Sequence, residues 1–251
     1  MTGSKAADDV SGHPARVEVR IAVVMFALTV TAASIDAIIF LGLGRAFAAM
    51  ATGNVLFLGF GLAKAGTPTA RPAEALAAFT FGVATAHVVV GRLRRQGRRW
   101  LTRSLAVETT TVLVVGLVVV GTSGRRTPPE HITVLAVVLL AAAMGWRNRV
   151  MLQAGIPDMP TTVMQTTLVK ALVDVMSWRP AAPHDPLLPR ARRLATISGV
   201  FLGAVAGALL LHLGPGPALL CVAGLSACVT ALYSRSPRLR PPDAAQTGGK
   251  H

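Results

Sequence analysis

Six apolar runs, each long enough to cross a bilayer as a helix, dominate this sequence: 21–44, 73–91, 104–121, 131–152, 194–213 and 217–234. A helix rises about 1.5 Å per residue and a bilayer's hydrocarbon core is about 30 Å thick, so roughly 20 apolar residues complete one crossing. Lipid offers backbone N–H and C=O groups no partners, which confines such runs to helices that satisfy themselves. Composition agrees. Hydrophobic residues make up 52% of the chain before its 24 glycines are counted, and charged residues only 14%; mean hydropathy is +0.56. Soluble domains carry about 25% charged residues because their surface must be wetted. The chain therefore reads as an all-α, polytopic transmembrane helix bundle, and a water-soluble globular fold is excluded.

Two further apolar segments, 51–63 and 161–173, hold only 13 residues each. As helices they reach about 20 Å, short of the hydrocarbon thickness. They are either short complete spans, giving eight crossings, or re-entrant or broken helices beside six full spans. Basic residues arbitrate, because cytoplasmic loops collect them. With six crossings one side carries the N-terminal stretch (3), the 92–103 loop (6), the 147–193 region (7) and the C-terminal tail (4), a total of 20 against 5. With eight crossings the division is 16 to 9. Six crossings with both termini cytoplasmic is the expected arrangement. The net charge of +14 then belongs to loops facing anionic lipid rather than to a nucleic-acid surface. Residues 1–20 and 235–251 read as disordered cytoplasmic ends. The run 21–44 is too long for a signal-peptide core and is expected to be a retained span.

The short segments occupy matching places in two halves, 21–122 and 131–234. Each follows a long span by one polar turn and precedes two further spans. Asp36 then falls opposite Asn148, and Thr52-Gly53-Asn54 opposite Gln165-Thr166-Thr167. Three spans per half is an odd number, so the second half enters from the opposite side and the duplication is inverted. Paired broken hydrophobic segments in inverted halves point to a midplane binding site.

The run SIDAIIFLGLGRAFAAMATGNVLFLG resembles the opening signature of the YoaK-like bacterial membrane proteins (domain of unknown function 1275): an Asp in the first span, a Phe, then a Met-Thr-Gly-Asn-like turn. Phe47, Met50, Thr52, Gly53 and Asn54 fit it, with Ala51 intruding. The stretch AMGWRNRVMLQAGIPDMPTTVMQTTLVKAL is similar to the second signature, keeping Met144, Gly145, Asn148, Thr161, Thr162, Thr167 and Leu168. It departs at Arg147, where the resemblance leads one to expect Gln, and at Gln165-Thr166, where it leads one to expect Thr-Gly. The resemblance covers roughly 20–235. It implies a multi-pass plasma-membrane protein of unassigned function and supplies no catalytic residue.

Asp36 is the foremost site candidate, since an ionised carboxylate sixteen residues into a span normally faces a cavity or a partner. It would couple a proton or cation; the alternative is a hydrogen-bonded packing element or a wetted residue near the interface. Thr52, Gly53 and Asn54 open an apolar stretch as a helix N-terminus does, where Thr or Asn can cap free N–H groups. Such an end near the midplane favours an anion, and Asn148, Thr166 and Thr167 would complete the site from the other half. His87 and Glu108 flank the arginine-rich loop and would pair as a proton relay, unless Glu108 snorkels to the interface. Arg147 and Arg149 mark a cytoplasmic boundary, with anion binding by Arg147 the sharper alternative. Lys170 and Asp174 form an i,i+4 interfacial pair. Gly199, Gly203 and Gly207 make a close-packing ridge toward another helix of the bundle or toward a second protomer. Cys221 and Cys228 are small apolar fillers, and no metal, cofactor or catalytic motif is expected.

These features favour a small-solute transporter or channel with Asp36 and the Thr52–Asn54 turn at its site. The alternatives are a membrane-embedded enzyme using His87, Glu108 and Asp36, or a non-catalytic scaffold or accessory subunit using the glycine ridge, as in a homo-oligomer.

Overall fold

The structure, a computed structural model, describes residues 23–95, 100–122, 128–154 and 187–235, together with Leu168, Val169 and Leu172. Among these residues there is no strand. The elements are α1 (Val23–Gly44), α2 (Ala51–Leu62), α3 (Ala70–Arg95), α4 (Trp100–Gly121), α5 (Glu130–Ala154), α6 (Leu187–Leu210, continued by a 3-10 turn at Leu211–Leu213) and α7 (Pro215–Arg235). All except the short α2 are long and apolar enough to cross a membrane, which gives 6 candidate spans. The second short segment, with Gln165, Thr166 and Thr167 and the Lys170/Asp174 pair, lies outside the described residues apart from three isolated positions.

Ion pairs and close contacts fix how the helices run. Arg71 at the start of α3 pairs with Glu130 at the start of α5, and His87 farther along α3 meets Arg149 farther along α5. These two helices are therefore parallel. Arg147, late in α5, reaches Leu28 and Thr31, early in α1, so α1 runs against both. Gly44, at the end of α1, accordingly packs on the aliphatic stem of Arg71. The chain leaves α1 and starts α3 on the same face of the bundle, and α2 completes no crossing. In the second half α6 runs parallel to α1, because Gly199, Gly203 and Gly207 meet Phe26, Val30 and Ser34 in that order. Residues 154 and 187 thus also share a face. The six long helices among the described residues alternate in direction, which places residues 23 and 235 at the same end of the bundle.

Burial shows which helices are central. In their most apolar windows α1 is 61% buried and α5 56%, against 17% for α6. Lipid gives apolar side chains no reason to leave it, so association rests on close backbone approach at small residues. An added Cβ on Gly82 would overlap the Ala142 carbonyl oxygen, and one on Gly145 the Phe79 carbonyl oxygen. The Gly199–Gly207 ridge does the same work inside this chain: a Cβ on Gly203 would stand 2.5 Å from the Val30 carbonyl oxygen. That ridge is spent on α1 rather than offered to a second protomer. Cys221 and Cys228, read from the sequence as fillers, are exposed on the outside of α7.

The last turns of α1 widen into a π-helix over Ile39–Gly44. Gly44 (φ 144°) and Arg45 (φ 52°) then turn the chain out of helical geometry, a conformation that costs glycine little and ends the element. This break carries the loop from Arg45 to Met50 back into the bundle, ahead of α2.

Candidate functional site

The loop is held by the carboxylate of Asp36, which projects from α1 into its bend. One oxygen, Oδ1, accepts the N–H groups of Ala48 at 2.7 Å and Ala49 at 2.8 Å, and Oδ2 accepts that of Met50 at 3.1 Å. Three charge-assisted bonds to backbone donors offset the desolvation of a carboxylate in the bundle interior. The same three donors would otherwise stand unpaired, which lipid tolerates badly. The anion that satisfies the backbone ahead of the short helix is thus the protein's own.

Asn54 closes the loop from the other end. Its Oδ1 accepts the Phe47 N–H at 2.9 Å and its Nδ2 donates to the Phe47 carbonyl at 2.7 Å, while Asn54 itself is wholly buried. The Phe47 ring stacks on Phe40, centroids 4.9 Å apart, and on Phe57 at 6.0 Å. Gly53 leaves the room this stack needs, since a Cβ there would lie 2.7 Å from the Phe47 ring. The expected capping by Thr52 or Asn54 does not occur: Met50 stands at the N-cap without a side-chain bond. Asn54 lies one turn inside α2 and reaches back past the cap to Phe47. The motif Asp-Phe-Met-Thr-Gly-Asn is a loop-building device.

A cavity of about 480 Å³ lies against this loop between α1, α3, α5 and α6. It brings together Asp36 and Thr52 with Asn148 and Arg149. Most of the remaining wall is apolar, including Phe40, Phe47, Phe79 and Val83. Asn148 donates only to the Met144 carbonyl of its own helix, 3.1 Å away. Gly53 and Asn54 are behind the wall, supporting it; Thr166 and Thr167 are outside the described residues.

Two sequence-based expectations are corrected. Glu108 does not reach the interface, and it does not pair with His87. It is 2% exposed and accepts from Arg147 Nη1 at 2.9 Å, while Arg147 also donates to Thr31 Oγ1 at 3.2 Å and to the Leu28 carbonyl. Arg147 is therefore an interior residue, 7% exposed, that ties α1, α4 and α5 together. The second carboxylate oxygen of Glu108 is buried without a partner among the described residues. The reason is packing: α4 turns Glu108 toward α5, whereas His87 on α3 faces Arg149, whose Nη2 and Nε stand 3.1 and 3.3 Å from its Nδ1. The sequence does hold a signal for the buried pair, because Glu108 and Arg147 lie at matching depth from the same face in consecutive spans.

The comparisons fit this architecture. Residues 24–232 match the family model described as "Protein of unknown function (DUF1275)". The transmembrane protein YoaK of Bacillus subtilis (strain 168) is 30% identical over 152 residues, 59% of this chain and 64% of that protein. The chain thus matches somewhat less than two thirds of that relative's length. No solved structure matches. With its match extending from the first span through the last, this multi-pass membrane protein belongs to the DUF1275 family.

Proposed function

We propose that the chain is a small-solute transporter of the bacterial plasma membrane, its termini cytoplasmic, and that the cavity beside Asp36 is its substrate site. One observation carries the reading: a cavity of about 480 Å³ inside the bundle, walled in part by non-helical chain and by residues of both halves. Irregular backbone at membrane depth is tolerated where it lines a cavity or is buried in protein, and transporters build their sites from such breaks. The volume suits a small organic molecule.

The helix arrangement supports an inverted duplication. The close approach of Gly82 to the Ala142 carbonyl in the α3/α5 pair recurs as that of Gly203 to the Val30 carbonyl in the α6/α1 pair. Val30 and Ala142 are separated by the same spacing as Asp36 and Asn148. Between α4 and α7, Gly116 meets Leu220 and Gly216 meets Val120, the kind of reciprocal contact that a two-fold axis between the halves would produce. The cavity lies where the halves meet.

Filling the cavity tests this reading. In proteoliposomes exposed to gradients of small organic solutes, the wild type should speed solute-dependent volume changes. Val83→Trp should remove the increase while the melting temperature stays within a few degrees. Equal flux through the filled variant would contradict the cavity as the path.

A further inference from the structure

We infer that the cavity takes a small organic monoanion with an apolar body, its charged group held by Arg149. This rests on the cavity being the substrate site, and it adds the chemical class of the solute.

The argument begins with the charges on the wall. Asp36 is negative, but three backbone N–H groups are already directed at its two oxygens. Arg149 has no such compensation: its hydrogen-bond partner among the described residues is the His87 ring, not a carboxylate. A cation with no carboxylate partner among the described residues, at the edge of an apolar cavity, attracts an anion, and low-dielectric walls strengthen that attraction. Guanidinium also presents paired donors that match a carboxylate.

The shape of the cavity supplies the rest. On α1 its wall runs from Thr29 to Leu41, about 18 Å of helix at 1.5 Å per residue. Arg149 and Thr29 mark one end, and Phe40 and Phe47 the other. Charge recognition is therefore confined to one end, and the remainder favours hydrocarbon or an aromatic ring.

Arg149 also lines a second cavity, of about 400 Å³, with His87, Arg92 and Gln153. Arg92 and Arg149 thus form a cationic vestibule on the face where α3 and α5 end. An anion drawn to Arg92 meets Arg149 next and reaches the apolar wall behind it.

The test uses benzoate, benzylamine and benzyl alcohol, which share a ring and differ in charge, with purified full-length protein in detergent. Competition against radiolabelled benzoate is read for the wild type, Arg149→Gln and Arg149→Lys. The inference expects saturable benzoate binding, no competition by benzylamine, and binding about tenfold weaker in Arg149→Gln, a loss of about 1.4 kcal/mol. Arg149→Lys, which keeps the charge but not the paired donors, should bind more weakly than the wild type and more tightly than Arg149→Gln; melting curves of all three proteins check the fold. Adding phosphatidylglycerol distinguishes a free anion from a lipid headgroup. The inference is overturned if benzylamine competes better than benzoate, if Arg149→Gln binds as the wild type does, or if phosphatidylglycerol displaces benzoate. Absence of benzoate binding beside a flux that Val83→Trp abolishes would overturn the anion and leave the transporter standing. Benzoate binding without flux would do the reverse.

Discussion

Replacing Arg147 by glutamine, the residue the family resemblance leads one to expect there, should destabilise this protein by about 3 kcal/mol, because removing one member of a buried ion pair strands the other. Glu108 is 2% exposed and, among the described residues, receives its side-chain hydrogen bond from Arg147 alone. Its other oxygen is already without a partner. Arg147→Gln would leave the carboxylate in the interior with no counter-charge, and α1 would lose the bonds to Thr31 and the Leu28 carbonyl. Glu108→Gln should cost less, since the guanidinium keeps those two acceptors. The double variant should recover much of the loss, as two amides need no charge balance. Thermal unfolding of the four proteins in detergent forms a double-mutant cycle that reads the coupling directly. Additive losses would show that the two side chains do not act as a pair.

The second large effect concerns Asp36. Asp36→Leu removes the acceptor for three N–H groups at once and should yield no monodisperse folded protein. Asp36→Asn keeps a carbonyl oxygen for Ala48 and Ala49 but turns its NH₂ group toward the Met50 N–H. It should fold with a loss of about 2 kcal/mol, in the range for a charge-assisted bond replaced by an unsatisfied donor. Size-exclusion profiles and melting curves check both variants. An Asp36→Asn protein with wild-type melting and no flux would instead make Asp36 a coupling group, the role its depth in the span suggests when the sequence is read alone.

The contrast between Asp36 and Arg147 shows what the sequence makes legible. Hydropathy locates the six candidate spans, and most boundaries fall within about four residues of the helix ends, because the hydrocarbon thickness sets the length of apolar run required. The largest shift is at the start of α6, which begins at Leu187 rather than near residue 194; helix geometry continues through polar residues at a membrane interface, where hydropathy is blind. Spacing also reveals Gly199, Gly203 and Gly207 as a packing ridge, though not the helix it meets. Asp36 stands out by its depth, yet its partners are backbone groups 12 to 14 residues later, and backbone donors leave no mark in a sequence. Glu108 and Arg147 are visible singly but lie 39 residues apart, so each read alone goes to the nearer interface. Arg149 carries no signal of its own beside Arg147. Only the rotation of α5 separates them, turning one toward Glu108 and the other toward the cavity.

Access to the cavity from the two sides of the membrane tests the central claim most directly. With Cys221 and Cys228 replaced by Ala, a single cysteine at Val83, on the cavity wall midway along α3, is treated with a membrane-impermeant thiol reagent in right-side-out and in inside-out vesicles. A transporter that presents its site alternately to each side predicts labelling in both preparations, slowed in both by a bound solute. Labelling from one side only would make the cavity a closed-ended binding pocket and would contradict transport through it.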